Sequence, residues 1–397
     1  MLNVIFQKKY IIYGSSIIAT RALEYVVLFF AASYLAKEEY GELEYYKKVI
    51  EVGSSLFAFG FPALILSYTK SKDSKQYFFL LGSIFVVVLT LLLWPVLGFF
   101  HLAFLTIPFV FYALFFNGGI MQSFLLVSKG SNYASYYKII VSILFYAIIY
   151  VSIRYFEVSG MAYVVVNYIL FPVSLLHLFV LFVKQKLLLY KIKRYWRLFK
   201  KLLLNSLTLV VSNFANLMFL YTDIFIIKYL AENANVVIAD YSFALNIANA
   251  LMLIPITLVQ VDIEKLKTNF LYMYTLQKKI SILLVIATGF LIIVFYILTG
   301  TLYQDFQNVT TLFFIILAAK IIQGLTPVRG TLLVIQKRFR LNLYLNIAAL
   351  LFNIVLSYVL FQFYEIIGVA VASFISLLIR YFLIRFYVEK QMKTLKK

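Results

Sequence analysis

Stretches of about twenty mostly apolar residues follow one another along the whole chain, broken only by short charged or turn-rich pieces. A helix rising about 1.5 Å per residue needs about 20 such residues to cross ~30 Å of hydrocarbon. About twelve runs are that long: 10–35, 42–68, 77–99, 102–127, 137–154, 159–183, 202–229, 236–262, 277–299, 309–335, 339–362 and 366–386. They are rich in Leu, Ile, Val and Phe and lack the alternating polarity of the ~10-residue strands of a membrane barrel. The pattern predicts an all-α polytopic membrane protein. Lys8 and Lys9 resemble the charged start of a signal peptide, but the run after them continues to Leu35 without a clear small-residue cleavage site, so it reads as a retained first helix.

Composition closes the alternatives. Of 397 residues, 64% are hydrophobic and 13% charged, with a mean hydropathy of +0.95. Soluble domains are nearer half apolar and a quarter charged, and disordered chains more polar still, so neither class fits. With no Cys, disulfides, thiol catalysis and thiolate metal sites are excluded, and His101 and His177 alone cannot build an imidazole cluster. No metal or cofactor is expected.

The net charge of +20 orients the helices. With the amino terminus cytoplasmic, 27 of the 36 Lys and Arg fall in cytoplasmic segments or at the cytoplasmic ends of runs, and only Lys37 and Arg154 in outer loops or at their edge. Such asymmetry places both termini inside. The cations therefore need no nucleic-acid partner. The longest polar break, 184–201 (KQKLLLYKIKRYWRLFKK), falls midway, and its amphipathic rhythm suits the anionic cytoplasmic leaflet as well as it suits a plain linker. It divides the chain into an N-terminal six-helix bundle (1–183), the basic linker and a C-terminal six-helix bundle (202–397). A weak echo joins the halves. Tyr34-Leu35-Ala36 and Tyr229-Leu230-Ala231 close the first and seventh runs, Glu44-Tyr45 matches Asp240-Tyr241, and Pro62 matches Pro255. The expected architecture is two bundles related by a pseudo-two-fold axis along the membrane normal, as suits a transporter that rocks one half against the other.

Apart from those within a few residues of a run's boundary and already assigned to a loop, seven cations lie within runs: Arg21, Lys47, Lys48, Lys228, Lys320, Arg329 and Arg380. Lys228, Arg329 and Arg380 are near enough to a run's end to reach the interface by snorkelling. Arg21 and Lys320 are each about eleven residues in, ~16 Å from the nearer end. A cation at that depth costs at least ~2.5–3.5 kcal/mol and should face protein or a wet cavity. Arg21 has a same-face partner in Glu24, three residues on. Lys320 has no carboxylate three or four residues away, and Gln323, Gly324 and Pro327 loosen its helix, so it is expected to point into a central lumen. Lys47 and Lys48 stand among Glu42, Glu44 and Glu51, as a paired cluster or a cavity lip. Arg329 and Arg380 complete the candidate lumen cations. Asp223 and Asp240, near the outer ends of successive runs, could approach each other, pair with Lys228 or carry a coupling ion, and Glu24 is a third candidate for coupling. A lumen with excess cations suits an anionic cargo, Arg for bidentate phosphate contact and Lys as a point charge.

These features resemble the Wzx-type flippases of polysaccharide (O-antigen) repeat units, in the multidrug/oligosaccharidyl-lipid/polysaccharide exporter superfamily. The resemblance covers nearly the whole chain. Locally it rests on the first helix with Arg21, on Tyr40-Gly41 and Gly60-Phe61-Pro62 in the second, and on 221–230 (YTDIFIIKYL) with Ala239-Asp240-Tyr241. It implies flipping of an undecaprenyl-diphosphate-linked oligosaccharide across the bacterial inner membrane by alternating access, with lumen cations holding the diphosphate head and an H⁺ or Na⁺ gradient as drive. A polysaccharide polymerase, a chain-length regulator and anionic lipids would be its partners, and lipopolysaccharide a destination. The chain departs from the family in its thin set of buried acids. A multidrug cation antiporter of the same superfamily would want buried carboxylates where the deepest charges here are positive. A membrane polymerase or ligase would need a large outer loop with catalytic polar residues, and every outer loop is short. A sugar-stacking role for the 32 Tyr and 40 Phe competes with their ordinary place at interfaces.

Overall fold

The computed structural model describes residues 8–68, 72–116, 118–184, 192–336 and 338–395. Every regular element among them is helical. In chain order the helices are α1 Lys8–Tyr34, α2 Lys37–Ala58, α3 Phe61–Tyr68, α4 Lys72–Phe99, α5 Thr106–Leu114, α6 Ile120–Ser128, α7 Ser131–Phe156 and α8 Ala162–Lys184. There follow α9 Ile192–Leu230, α10 Ala234–Asn249, α11 Leu253–Val261, α12 Ile263–Thr268, α13 Tyr272–Thr301, α14 Thr310–Leu325, α15 Pro327–Ile335 and α16 Phe339–Leu395. Eight of these segments, with consecutive pairs counted as one, are long and apolar enough to cross a membrane. The last of them, 339–391, holds two of the expected runs, and those at 10–35, 42–68 and 102–127 are α1, the pair α2–α3 and the pair α5–α6. The protein is an all-α polytopic membrane protein.

Several expected single runs are broken helices, and the sequence explains each break. The second run stops where Phe59 and Gly60 take φ of 42° and 73°, and Pro62 lies in the first turn of α3, where its missing N–H costs nothing. The fourth breaks at Gly118 (φ 84°), whose N–H donates to Gln122 Oε1 at 2.6 Å. In the eighth, a short 3-10 stretch, Ala250–Met252, separates α10 from α11. In the tenth, Pro327 ends α14 and starts α15. The second and fourth runs of each half are thus discontinuous. The last two expected runs form one helix, α16, interrupted only by a non-helical Glu365 (φ 49°, ψ −131°).

The chain folds as two compact units, one of residues 1–34 and 46–210, the other of residues 35–45 and 211–397. This differs from the expected 1–183, 184–201 and 202–397 in two places. Residues 185–191 of the expected linker lie outside the described residues, whereas 192–201 are helical and form the start of α9, a 39-residue helix. The first two turns of α2 belong to the second unit, because Gly41 lets the helix touch α10: a Cβ there would meet the Asn235 carbonyl oxygen at 1.7 Å. That contact gives the Tyr40-Gly41 pair a steric cause.

In the first unit α1 packs along α7, and α6 lies against α3, α4 and α7. In the second, α14 packs along α16, and α10 against α14. Aromatic rings fill both interiors, as in the stacks Phe61–Phe199 (5.2 Å), Phe79–Phe124 (4.3 Å), Phe243–Phe306 (4.2 Å) and Phe295–Phe313 (4.0 Å). Much of the aromatic excess is core packing.

Candidate functional site

The first unit gathers charge around Glu24 in α1. Its Oε2 accepts from Arg21 Nη1 at 2.7 Å, and its Oε1 pairs with Lys47 Nζ on α2, also at 2.7 Å. The side chains of Glu24 and Lys47 are 8% and 3% exposed, but Arg21 is 52% exposed. The carboxylate thus seals one cation inside and holds the other by one nitrogen, leaving the rest of the guanidinium free for an anion. Lys48 is also buried, and Lys48, Glu51 and Lys138 lie within electrostatic range of this group. Four cations against two carboxylates leave it net positive. Lys47 thus has a partner on α1 as well as acids nearby on its own helix. Glu44 is fully buried in the second unit, where it accepts from Asn246 Nδ2 at 2.8 Å.

The second unit holds a cavity of about 20 Å³, room for about one water, between α9, α10, α14 and α16. Lys320 is buried, lines it and donates to Gln323 Oε1 at 2.9 Å. Asp223 lines the cavity from α9, fully engaged: Ser373 Oγ donates at 2.7 Å, Asn353 Nδ2 donates at 3.3 Å, and the Tyr241 hydroxyl donates as well. Asp223 and Asp240 do not come together. Asp240 takes a salt bridge from Lys37 at 2.7 Å, and Lys228, the other partner expected for Asp223, donates to Asn235 Oδ1 at 2.7 Å and lies over the Tyr45 ring. The bonds that orient Asp223 come instead from Tyr241, Asn353 and Ser373, neutral residues that no charge singles out in the sequence. Their signal was polar residues seven apart, Asn216 and Asp223 on α9 and Asn346 and Asn353 on α16, each pair on one helical face.

Arg380 and Arg329 do not end in open water. Arg380 Nη2 donates to Asn216 Oδ1 at 2.8 Å and Asn346 Oδ1 at 2.7 Å, with the guanidinium 5.5 Å over the Phe219 ring. Arg329, 5% exposed, donates to the Tyr381 hydroxyl at 3.3 Å and lies 4.0 Å from Glu389. Among the described residues no three His, Asp or Glu side chains converge as a divalent-metal centre would require. A single buried carboxylate with Asn and Ser oxygens beside it is equipped for a proton or a monovalent cation.

The family model described as polysaccharide biosynthesis protein matches residues 6–263. The chain belongs to this family. No curated protein matches it in sequence. Among solved structures it resembles the lipid II flippase MurJ in an inward closed conformation, at 15% identity and a TM-score of 0.65, over 96% of this chain and 87% of that one. It also resembles a multidrug resistance MATE family transporter of the MOP superfamily, at 15% identity in both conformations. The TM-score is 0.61 inward-facing (94% of this chain, 96% of that one) and 0.62 outward-facing (98% and 96%). At this identity the likeness establishes the fold, and this member of the polysaccharide biosynthesis family has the fold of those transporters.

Proposed function

We propose that this protein flips undecaprenyl-diphosphate-linked oligosaccharide repeat units of a surface polysaccharide, such as O-antigen, across the bacterial inner membrane by alternating access. Both termini are cytoplasmic, and the drive is an ion gradient. The observation that carries the reading is Lys320, a cation buried at mid-helix and lining one cavity with Asp223. A buried charge of this kind is costly unless it is used. The family membership and the flippase among the similar folds support it. Lys320 would take a phosphate of the cargo, and Arg21, presented by Glu24 with the field of Lys47 and Lys48 behind it, is a further phosphate-contact candidate. A phosphate drawn to Lys320 removes the positive charge facing Asp223, which is then neutralised by H⁺ or Na⁺. That exchange links cargo to ion. Glu24 and Asp240, already paired to lysines, are weaker coupling groups. A polymerase and a chain-length regulator would receive the flipped unit.

The test is Lys320→Ala. Surface polysaccharide disappears while the protein still inserts, and undecaprenyl-linked units accumulate on the cytoplasmic face. Normal polysaccharide in that variant overturns the assignment. The buried Asp223 and the MATE likeness favour a second reading, a cation antiporter. In that case ethidium efflux, rather than lipid-linked sugar, responds to Asp223→Asn.

A further inference from the structure

Three helical segments of the second unit carry the same layering in register. On α9 the sequence runs Ser212, Asn216, Phe219, Asp223; on α16 before its break Asn342, Asn346, Ala349, Asn353; after the break, in reverse, Arg380, Leu377, Ser373. At 3.6 residues per turn each set falls within about 60° on one face, with an apolar residue three positions from one polar group and four from the other. The bonds bear the register out. One polar layer is Asp223 with Asn353 and Ser373. The other is Ser212, Asn342, Asn346, Asn216 and Arg380, closed by Asn342 to Ser212 Oγ at 3.0 Å, Asn346 to Ser212 Oγ at 2.9 Å and the two bonds from Arg380. Between them Phe219, Ala319, Ala349 and Leu377 form a buried apolar cluster. Polar layer to polar layer is about 10 Å.

The layer on the Arg380 side, toward the basic start of α9, carries a fixed positive charge. Both hydrogens of Nη2 are spent on neutral amide oxygens, Nε is buried without a partner, and among the described residues no carboxylate pairs with the group. An arginine does not deprotonate, and two amides lock this one in place. A cation leaving Asp223 in that direction meets first the apolar layer of Phe219, Ala319, Ala349 and Leu377 and then this charge. The Lys320 cavity borders the same layer, with Phe219, Ala319 and Leu377 among its lining residues, and the Arg380 charge lies beyond that apolar wall.

We infer that Arg380, cradled by Asn216 and Asn346 behind the Phe219–Ala349–Leu377 layer, is a charge barrier that stops H⁺ or Na⁺ at Asp223 from passing through the second unit to the basic end of α9. The inference rests on the ion-carrying role proposed for Asp223. It gives Arg380 a task distinct from cargo contact: ions exchange only through the cavity that the cargo also engages, so transport does not leak.

Purified full-length protein in liposomes tests this under a valinomycin-set K⁺ potential, with dyes for internal pH and Na⁺. The wild type stays tight. One unit charge about 10 Å from the ion's path, at an effective dielectric near 20, is worth about tenfold in rate, so Arg380→Gln raises the cation leak about tenfold and Arg380→Lys does not. If Arg380→Gln is not monodisperse, Arg380→Met removes the same charge at similar volume and is read the same way. A neutral variant as tight as wild type, or Arg380→Lys as leaky as the neutral variant, overturns the barrier. Adding Asp223→Asn separates the two ideas. Loss of the leak keeps Asp223 on the path. A leak that persists removes Asp223 from the path but leaves the barrier standing.

Discussion

Glu24 shows how one carboxylate can serve two cations differently. Its bond to Lys47 is sealed from solvent, and removing one partner of such a buried pair leaves an uncompensated charge that costs about 3–5 kcal/mol. Its bond to the half-exposed Arg21 is worth about 0–1 kcal/mol. Glu24→Gln therefore lowers stability by about 3–5 kcal/mol in denaturant titrations of the solubilised protein, and Lys47→Met in that background restores most of it. Arg21→Gln changes stability by less than about 1 kcal/mol and instead reduces surface polysaccharide. Equal losses from Glu24→Gln and Arg21→Gln would refute the division of roles. The Arg21–Glu24 pair was legible in the sequence because three residues on a helix is a local spacing. Lys47 was not, because which acid it meets depends on the packing of α2 against α1. Asp223 misled for the same reason: its end-of-helix position suggested Asp240 or Lys228, whereas α10 and α16 deliver Tyr241, Asn353 and Ser373.

At the scale of elements, hydropathy located the spans because each must be long and apolar to cross lipid, whatever its neighbours. Proline marked the break at Pro327 in advance, whereas 42–68 read as one run despite Gly60 and Pro62. The bend at Glu365 left no such mark, and α9 begins within the basic stretch read as a linker. One junction outside the spans has a pH signature. Asp262, between α11 and α12, is disfavoured as an anion by burial, but hydrogen bonds from Lys265 (2.6 Å) and Tyr272 (2.8 Å) outweigh this and hold its carboxyl below the usual range. A lowered folded-state value means that the unfolded chain binds the proton more readily. The stabilisation is complete above the ordinary carboxylate pKa of about 4 and is lost as pH falls below it. Hydrogen-exchange protection of α12 should hold steady from neutral pH to about 5, then fall, and Asp262→Asn should abolish that fall. Protection that fell equally in the variant would assign the transition to another group.

At the scale of the molecule, the sequence announced two six-span halves, and the discontinuous second and fourth runs recur in both. Apolar periodicity could not assign residues 35–45 to the second unit, because their placement follows from the close approach at Gly41 rather than from any property of the run. Orientation is a separate question, resting on where the cations fall between spans, and it can be tested directly because the chain has no cysteine. Single cysteines at the exposed positions Glu157 and Asp305 should react with a membrane-impermeant maleimide in intact cells, and those at Lys129 and Lys267 only after permeabilisation. The opposite pattern would invert the molecule. The basic start of α9 would then face outward, and the Arg380 layer would bar ions from the outside rather than the cytoplasm. The same four labels therefore test both the topology and the side of the membrane on which the Arg380 barrier stands.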